Sequence, residues 1–205
     1  MDKHSALICI DIQNDFCPNG ALAVTGGDEI ISRANLMMAD AKSAGAAIVL
    51  TQDWHPDDHS SFASSHDEKS PFDMVEMSYG PQVLWPKHCV IGSQGAAFHD
   101  DLDSDSADMV IRKGFRRAID SYSAFFENDR QTPTGLHGYL QIRDISHITL
   151  IGLATDFCVA YSALDGARLG YDVTVDLSAC RAIDLEGSLT AQLDAMRQAG
   201  VTIIS

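Results

Sequence analysis

The chain has no apolar run approaching the ~18 residues that a helix needs to cross a bilayer, no Cys-x-x-Cys pair, and only 14 basic residues against 29 acidic ones. The first absence excludes a membrane-spanning helix of ordinary length. The second matters because Cys9, Cys17, Cys89, Cys158 and Cys180 are scattered and odd in number. That usage fits reduced thiols in a cytosol better than a disulfide framework or a zinc knuckle. The third leaves a net charge of −15, which argues against nonspecific attraction to nucleic acid or anionic lipid. Linkers, internal repeats and low-complexity stretches are also missing. The opening MDKHSALICIDI carries an apolar run that stops at Asp11, too short for a secretory core segment. With 45% apolar and 21% charged residues, a disordered tail and a coiled coil are excluded. The expectation is one cytoplasmic α/β domain spanning residues 1–205.

Short apolar runs alternate with longer helical patterns. Ala6–Ile10, Ala47–Leu50, Met109–Ile111, Ile148–Leu153, Val173–Val175 and Val201–Ile204 read as strands. Their near-continuous apolar character predicts an open, mostly parallel sheet of about six strands with helices on both faces. Helices are expected over Asp28–Ala44, Asp156–Leu169 and Leu185–Ala199, each followed by a glycine (Gly45, Gly170, Gly200) that ends it. The interval 52–108 breaks the alternation. It holds both tryptophans, five of the eight histidines, and twelve acidic residues against Lys69 and Lys87 alone. Connections beyond about 15 residues are usually functional or disordered, and a disordered segment would not carry both tryptophans. An ordered functional insertion with short helices is expected here.

Ligands of open α/β sheets bind beyond the carboxyl ends of the strands. There the first strand reaches Asp11, the second Asp53 and the third Lys113, while the fourth leads into a helix whose first turn holds Cys158. A thiol at a helix N-terminus, near a lysine, is expected to ionise readily. Asp11 can move protons between thiol, leaving group and water, and N–H groups at the turn can hold an oxyanion. Each residue also has a plainer role: a buried core cysteine, a surface lysine, a carboxylate capping a turn. A second cluster lies in the insertion. Asp53 and His55 share one side of an extended segment, with His88 some thirty residues on. One carboxylate and two imidazoles suit zinc, iron or manganese and leave positions open. Solvated histidines are the alternative. Asp101, Asp103 and Asp105 imitate a calcium loop, but Ser106 and Arg112 stand where Gly and Glu are required.

The segments CIDIQNDFCPNGALAV, QDWHPDDHSSFA, YGPQVLWPKHCV, VIRKGFRRAIDSYSAFFEND and LIGLATDFCV, in register from Ala6 to Leu177, resemble the nicotinamidases. These belong to the cysteine-hydrolase group that includes isochorismatase. The resemblance implies a three-layer α/β/α fold and an amidase that converts nicotinamide to nicotinate and ammonia in NAD salvage, with pyrazinamide also a substrate. Carried over, the triad is Asp11, Lys113 and Cys158, and the metal ligands are Asp53, His55 and His88. His59 matches a position that coordinates metal in some members only. Phe16, Trp85 and Tyr122 would hold the pyridine ring. The Leu153–Ala154 peptide matches one that is cis in the family, and the N–H groups of Ala154 and Cys158 would form the oxyanion hole. One divalent ion is implied, zinc first, then iron or manganese. The partner is a small molecule, with no nucleic acid and no membrane, and a homo-oligomer is left open. The rivals are an amidohydrolase of the same fold acting on a carbamoyl or ureido substrate, and a catalytically silent binding protein. The histidine cluster argues against the former, and the intact Cys-Lys-Asp set against the latter.

Overall fold

The computed structural model describes residues 1–205. Six strands form one parallel sheet: β1 (Ser5–Ile10), β2 (Ala47–Asp53), β5 (Met109–Lys113), β6 (His147–Leu153), β7 (Asp172–Arg181) and β8 (Thr202–Ile204), in the order β5-β2-β1-β6-β7-β8. Every residue of β1 and β2 is buried, as the apolar runs Ala6–Ile10 and Ala47–Leu50 within them suit central parallel strands. All six strands stand where the sequence places them, several extended by a few residues.

Helix α1 (Ile31–Ser43) connects β1 to β2 and buries Ile31, Ala34, Met37, Met38 and Ala41. Gly45, with φ 74°, turns the chain out of it, the left-handed conformation that glycine adopts without steric cost. Helix α3 (Ala160–Arg168) joins β6 to β7, and α4 (Ser188–Gln198) joins β7 to β8. Strand order runs leftward from β1 to β2 and rightward from β6 to β8, so right-handed crossovers put α1 on one face and α3 and α4 on the other.

Three expected helices are shorter than their periodicity suggests. Residues 28–30 form a turn before α1. Thr155–Val159 is a single π-helical turn ahead of α3. Leu185–Gly187 is a 3-10 turn in which Glu186 takes φ 51°, so α4 begins only at Ser188. The helix α2 (Leu136–Ile142), unpredicted, lies between β5 and β6. The insertion holds the short helices expected of it, as 3-10 turns, and also an antiparallel hairpin that was not expected, β3 (Met74–Met77) with β4 (Gly80–Val83).

The insertion is stapled to the chain just after β1. Gln13 donates from Nε2 to the carbonyls of Asp53 (2.9 Å) and Ala96 (2.8 Å) and accepts from the Asp53 N–H (2.8 Å). Asp15 accepts from the Cys89 N–H at 2.7 Å. The QND of CIDIQNDF is therefore a clamp on the 89–96 segment.

Candidate active site

The strand order reverses between β1 and β6, and the crevice beyond the strands' carboxyl ends at such a point is where open α/β sheets bind ligands. Gly152 makes this junction possible: its φ is 121°, and a Cβ there would lie 2.1 Å from the Ile10 carbonyl oxygen. Asp11 follows immediately, at φ 49°.

Lys113, at the end of β5, reaches back under this crevice and is 1% exposed. Its Nζ lies 2.7 Å from Asp11 Oδ2, donates to Asp53 Oδ1 and to the Ser121 carbonyl (3.0 Å), and stands 3.5 Å from Cys158 Sγ. Thr51 Oγ1 donates to the other Asp11 oxygen at 2.7 Å. A carboxylate oxygen of Asp11 and Cys158 Sγ lie within 4.8 Å of each other, which places the base beside the thiol. Three of the expected residues thus meet around one ammonium, and the alternative of a surface lysine is gone.

Burial pushes the Asp11 carboxyl up against the opposing pull of Lys113, and Asp53 adds repulsion, so that it titrates at about 6. Burial also works against the Asp53 charge, but Lys113 and His55 overcome it and hold that carboxyl well below the usual carboxylate range. Lys113 stays charged despite its burial because Asp11 and Asp53 flank it. Cys158 corrects the sequence expectation. Burial pushes its thiol well up, against the pull of Lys113, so the resting group is a thiol with a base beside it rather than a ready thiolate. The helix-terminus effect is outweighed here because the sulfur, within the π-turn Thr155–Val159, is buried.

His55 and His88 are brought together by backbone pairing. The His55 N–H donates to the Cys89 carbonyl and the Ile91 N–H to the His55 carbonyl, both at 2.9 Å. His55 Nδ1 donates to the Gly114 carbonyl (2.8 Å) and His88 Nδ1 to the Pro86 carbonyl (2.7 Å). A carbonyl only accepts, so each Nδ1 carries hydrogen, and in the neutral ring each Nε2 presents a lone pair. These two Nε2 atoms lie 3.7 and 3.9 Å from Asp53 Oδ2, and all three donors fall within 4.8 Å of one another. Burial, with His55 nearby, lowers His88 to about 4, keeping it neutral. Burial also disfavours a charge on His55, but Asp53 outweighs it and raises that imidazole, so an ion there competes with one proton. With His55 neutral, a lone pair on each imidazole and an ionised carboxylate are the donor states that a divalent ion requires.

His59 packs against His55, ring centroids 4.5 Å apart, but its nitrogens are turned elsewhere. Nδ1 accepts from the Ser61 N–H at 3.2 Å, and Nε2 stands 3.2 Å from the Ile119 carbonyl. Its near group is His55 with Asp120, not the Asp53 set.

The pocket over Cys158 is walled by Phe16, Leu22, Trp85, Tyr122, Phe157 and Ile183, with Asp53, His55, His88, Asp120 and Ala154 completing it. Trp85 Nε1 donates to the Tyr122 hydroxyl at 3.0 Å, which fixes the two rings edge to face at 6.1 Å. The Leu153–Ala154 peptide is cis. Sequence reasoning did not single out Asp120, which sits inside a quoted motif but has no local signature, or Asp156. The latter is 1% exposed and accepts from the Ile183 N–H (3.0 Å), the Asp184 N–H (2.8 Å) and Ser188 Oγ (2.5 Å). It thereby ties the nucleophile turn to the loop that carries Ile183.

The isochorismatase domain model matches residues 5–205. A nicotinamidase of Acinetobacter baylyi is 52% identical over 203 residues, 99% of this chain and 93% of that relative. An Acinetobacter baumanii nicotinamidase/pyrazinamidase structure superposes with a TM-score of 0.97 at 49% identity, covering 100% of this chain and 97% of the other. A pyrazinamidase of Pyrococcus horikoshii, solved in complex with zinc, superposes with a TM-score of 0.79 at 33% identity, covering 98% and 99%.

Proposed function

The chain belongs to the isochorismatase domain family, and from that premise we propose that it is a cysteine amidohydrolase converting nicotinamide to nicotinate and ammonia. The carrying observation is that Lys113 Nζ stands 3.5 Å from Cys158 Sγ while bound to Asp11 and Asp53, in the pocket that also presents the two imidazole lone pairs.

Asp11 takes the thiol proton, and Cys158 Sγ attacks the carboxamide carbon. The oxyanion is received by the N–H groups of Ala154 and Cys158. Asp11 returns the proton to the departing amine, which leaves as ammonia with its bond to carbon broken and a thioester formed. Asp11 then takes a proton from water, whose hydroxide attacks the thioester carbon; the thiolate leaves and recovers that proton from Asp11, and the product acid gives its own proton to solvent and is released as nicotinate. Lys113 keeps the Asp11 and thiolate charges tolerable in a site without bulk water. Asp53, His55 and His88 would hold one divalent ion, zinc first, with iron or manganese as alternatives. When bound it supplies a Lewis acid for the pyridine nitrogen, orienting the ring and drawing electrons from it. Phe16, Trp85 and Tyr122 flank the ring. Pyrazinamide, with a nitrogen at the same distance from its carboxamide, is a second substrate. The five unpaired cysteines suit the reducing cytoplasm.

Ammonia release from nicotinamide, measured before and after chelation and after adding back zinc, iron or manganese, tests this reading. Turnover is expected to vanish on stripping, to return with metal, and to be absent in Cys158→Ala. A folded, metal-loaded protein that releases no ammonia would overturn it.

A further inference from the structure

Asp120 is a buried pocket carboxylate that the reaction above does not use. It is 2% exposed and lines the same cavity as Asp53, His55, His88 and Cys158. One oxygen accepts from the Ser121 N–H (2.8 Å) and the other from Gln82 Nε2 (2.9 Å). Gln82 is fixed in that orientation because its Oε1 accepts from the Tyr79 hydroxyl (3.2 Å) and Asn128 Nδ2 (3.0 Å). A carboxylate accepts about four hydrogen bonds, so Asp120 keeps unfilled acceptor positions. No cation lies in ion-pair range of it. A ring nitrogen of His55 and one of His59 lie within 4.8 Å of its oxygen, beyond direct contact and at about the span that one bridging atom with two hydrogen bonds covers.

Charge gives the gap a meaning. Asp11 and Asp53 together place two formal negative charges on the one positive charge of Lys113, a net of one. A divalent ion beside them is balanced only when a second carboxylate is counted, and Asp120 is the other carboxylate of this pocket. Buried charge without a counter-charge is costly, so this carboxylate belongs to the ion's surroundings.

We infer that Asp120 is a positioning residue for the metal: it accepts a hydrogen bond from a water shared with the ion, supplies the second negative charge, and so holds open the position that the substrate's ring nitrogen takes. His59 is its neighbour in this outer layer rather than a fourth ligand. The inference rests on the metal role of Asp53, His55 and His88 given above.

The test is competition of apo-protein against a chromophoric chelator for Zn2+ and Mn2+, with wild type, Asp120→Asn, Asp120→Ser and His88→Ala. Asp120→Asn is expected to weaken metal binding about 10- to 100-fold, as loss of an outer partner does. It should also raise the nicotinamide KM while kcat at saturating metal and substrate changes little. The melting temperature of the apo form is expected to stay near wild type. Asp120→Ser, smaller and free of the amide that would face Gln82, reads the same way if the Asn variant fails to fold. A folded Asp120 variant with wild-type metal affinity and KM would overturn the inference. If instead His88→Ala binds metal as tightly as wild type, the ligand assignment itself fails, and the two failures are told apart.

Discussion

Lys113 carries its charge where water does not reach it, and it is the two carboxylates on either side that make this tolerable. Removing one partner of such a buried group leaves the others uncompensated, so each member of the set constrains the rest. Asp11 shows the consequence most directly. Its carboxyl titrates at about 6 because burial outweighs the attraction of Lys113, and it must be ionised to accept the thiol proton. The sign follows: above pH 7 the base is available, and below about 6 it is protonated and cannot act. The value of kcat/KM is therefore expected to fall about tenfold per pH unit below that point. Asp11→Asn, which removes the base and keeps the shape, should lower kcat by about 10²- to 10⁴-fold and abolish the acid limb. A rate profile for the wild type that stays flat down to pH 4 would remove Asp11 from the role of base.

At the scale of elements, the site is assembled by strand ends and the glycines that follow or close them. Gly114, the residue after β5, has φ 65°, and a Cβ on it would lie 2.4 Å from His55 Cε1 while its carbonyl holds His55 Nδ1. One residue thus sets both the backbone turn and the ring direction. Gly114→Ala is expected to weaken Zn2+ binding at least about tenfold by tilting the imidazole, and to cost about 1–2 kcal/mol of stability from the left-handed backbone. Chelator competition and urea unfolding measure the two; unchanged metal affinity would mean that another contact orients His55. The strands behind this geometry were legible because central parallel strands carry near-continuous apolar runs, and Asp11, Asp53, Lys113 and Cys158 stood within a few residues of where those runs stop. Other parts were not legible, for physical reasons. The β3–β4 hairpin has two four-residue strands, one containing Pro81, and too little periodicity to register. Helix α2 has seven residues with Gly138 among them. Asp120 acquires meaning only from Gln82 and His55, which lie far from it in sequence, and the raised thiol of Cys158 depends on a pocket that no local pattern encodes.

Over the whole molecule, the three metal-ligating candidates tie the insertion to the sheet. Asp53 ends β2, His55 follows it, and the segment after His88 returns to pair with His55 through Cys89 and Ile91. An ion held by all three binds the folded chain and not the unfolded one, so it adds stability by mass action to sheet and insertion together. At a free concentration about 100 times the dissociation constant the gain is about 2.7 kcal/mol, which for a domain of this size raises the melting temperature by roughly 5–11 °C. Calorimetry of the apo-protein with graded zinc should therefore show one transition moving upward with concentration. In His88→Ala the shift should largely disappear, because the remaining Asp53 and His55 span only the near edge of the insertion. A transition that splits, with one part insensitive to zinc, would mean that the insertion melts apart from the sheet and that the Gln13 and Asp15 clamps do not bind it into the cooperative unit. A shift of full size in His88→Ala would place the ion elsewhere.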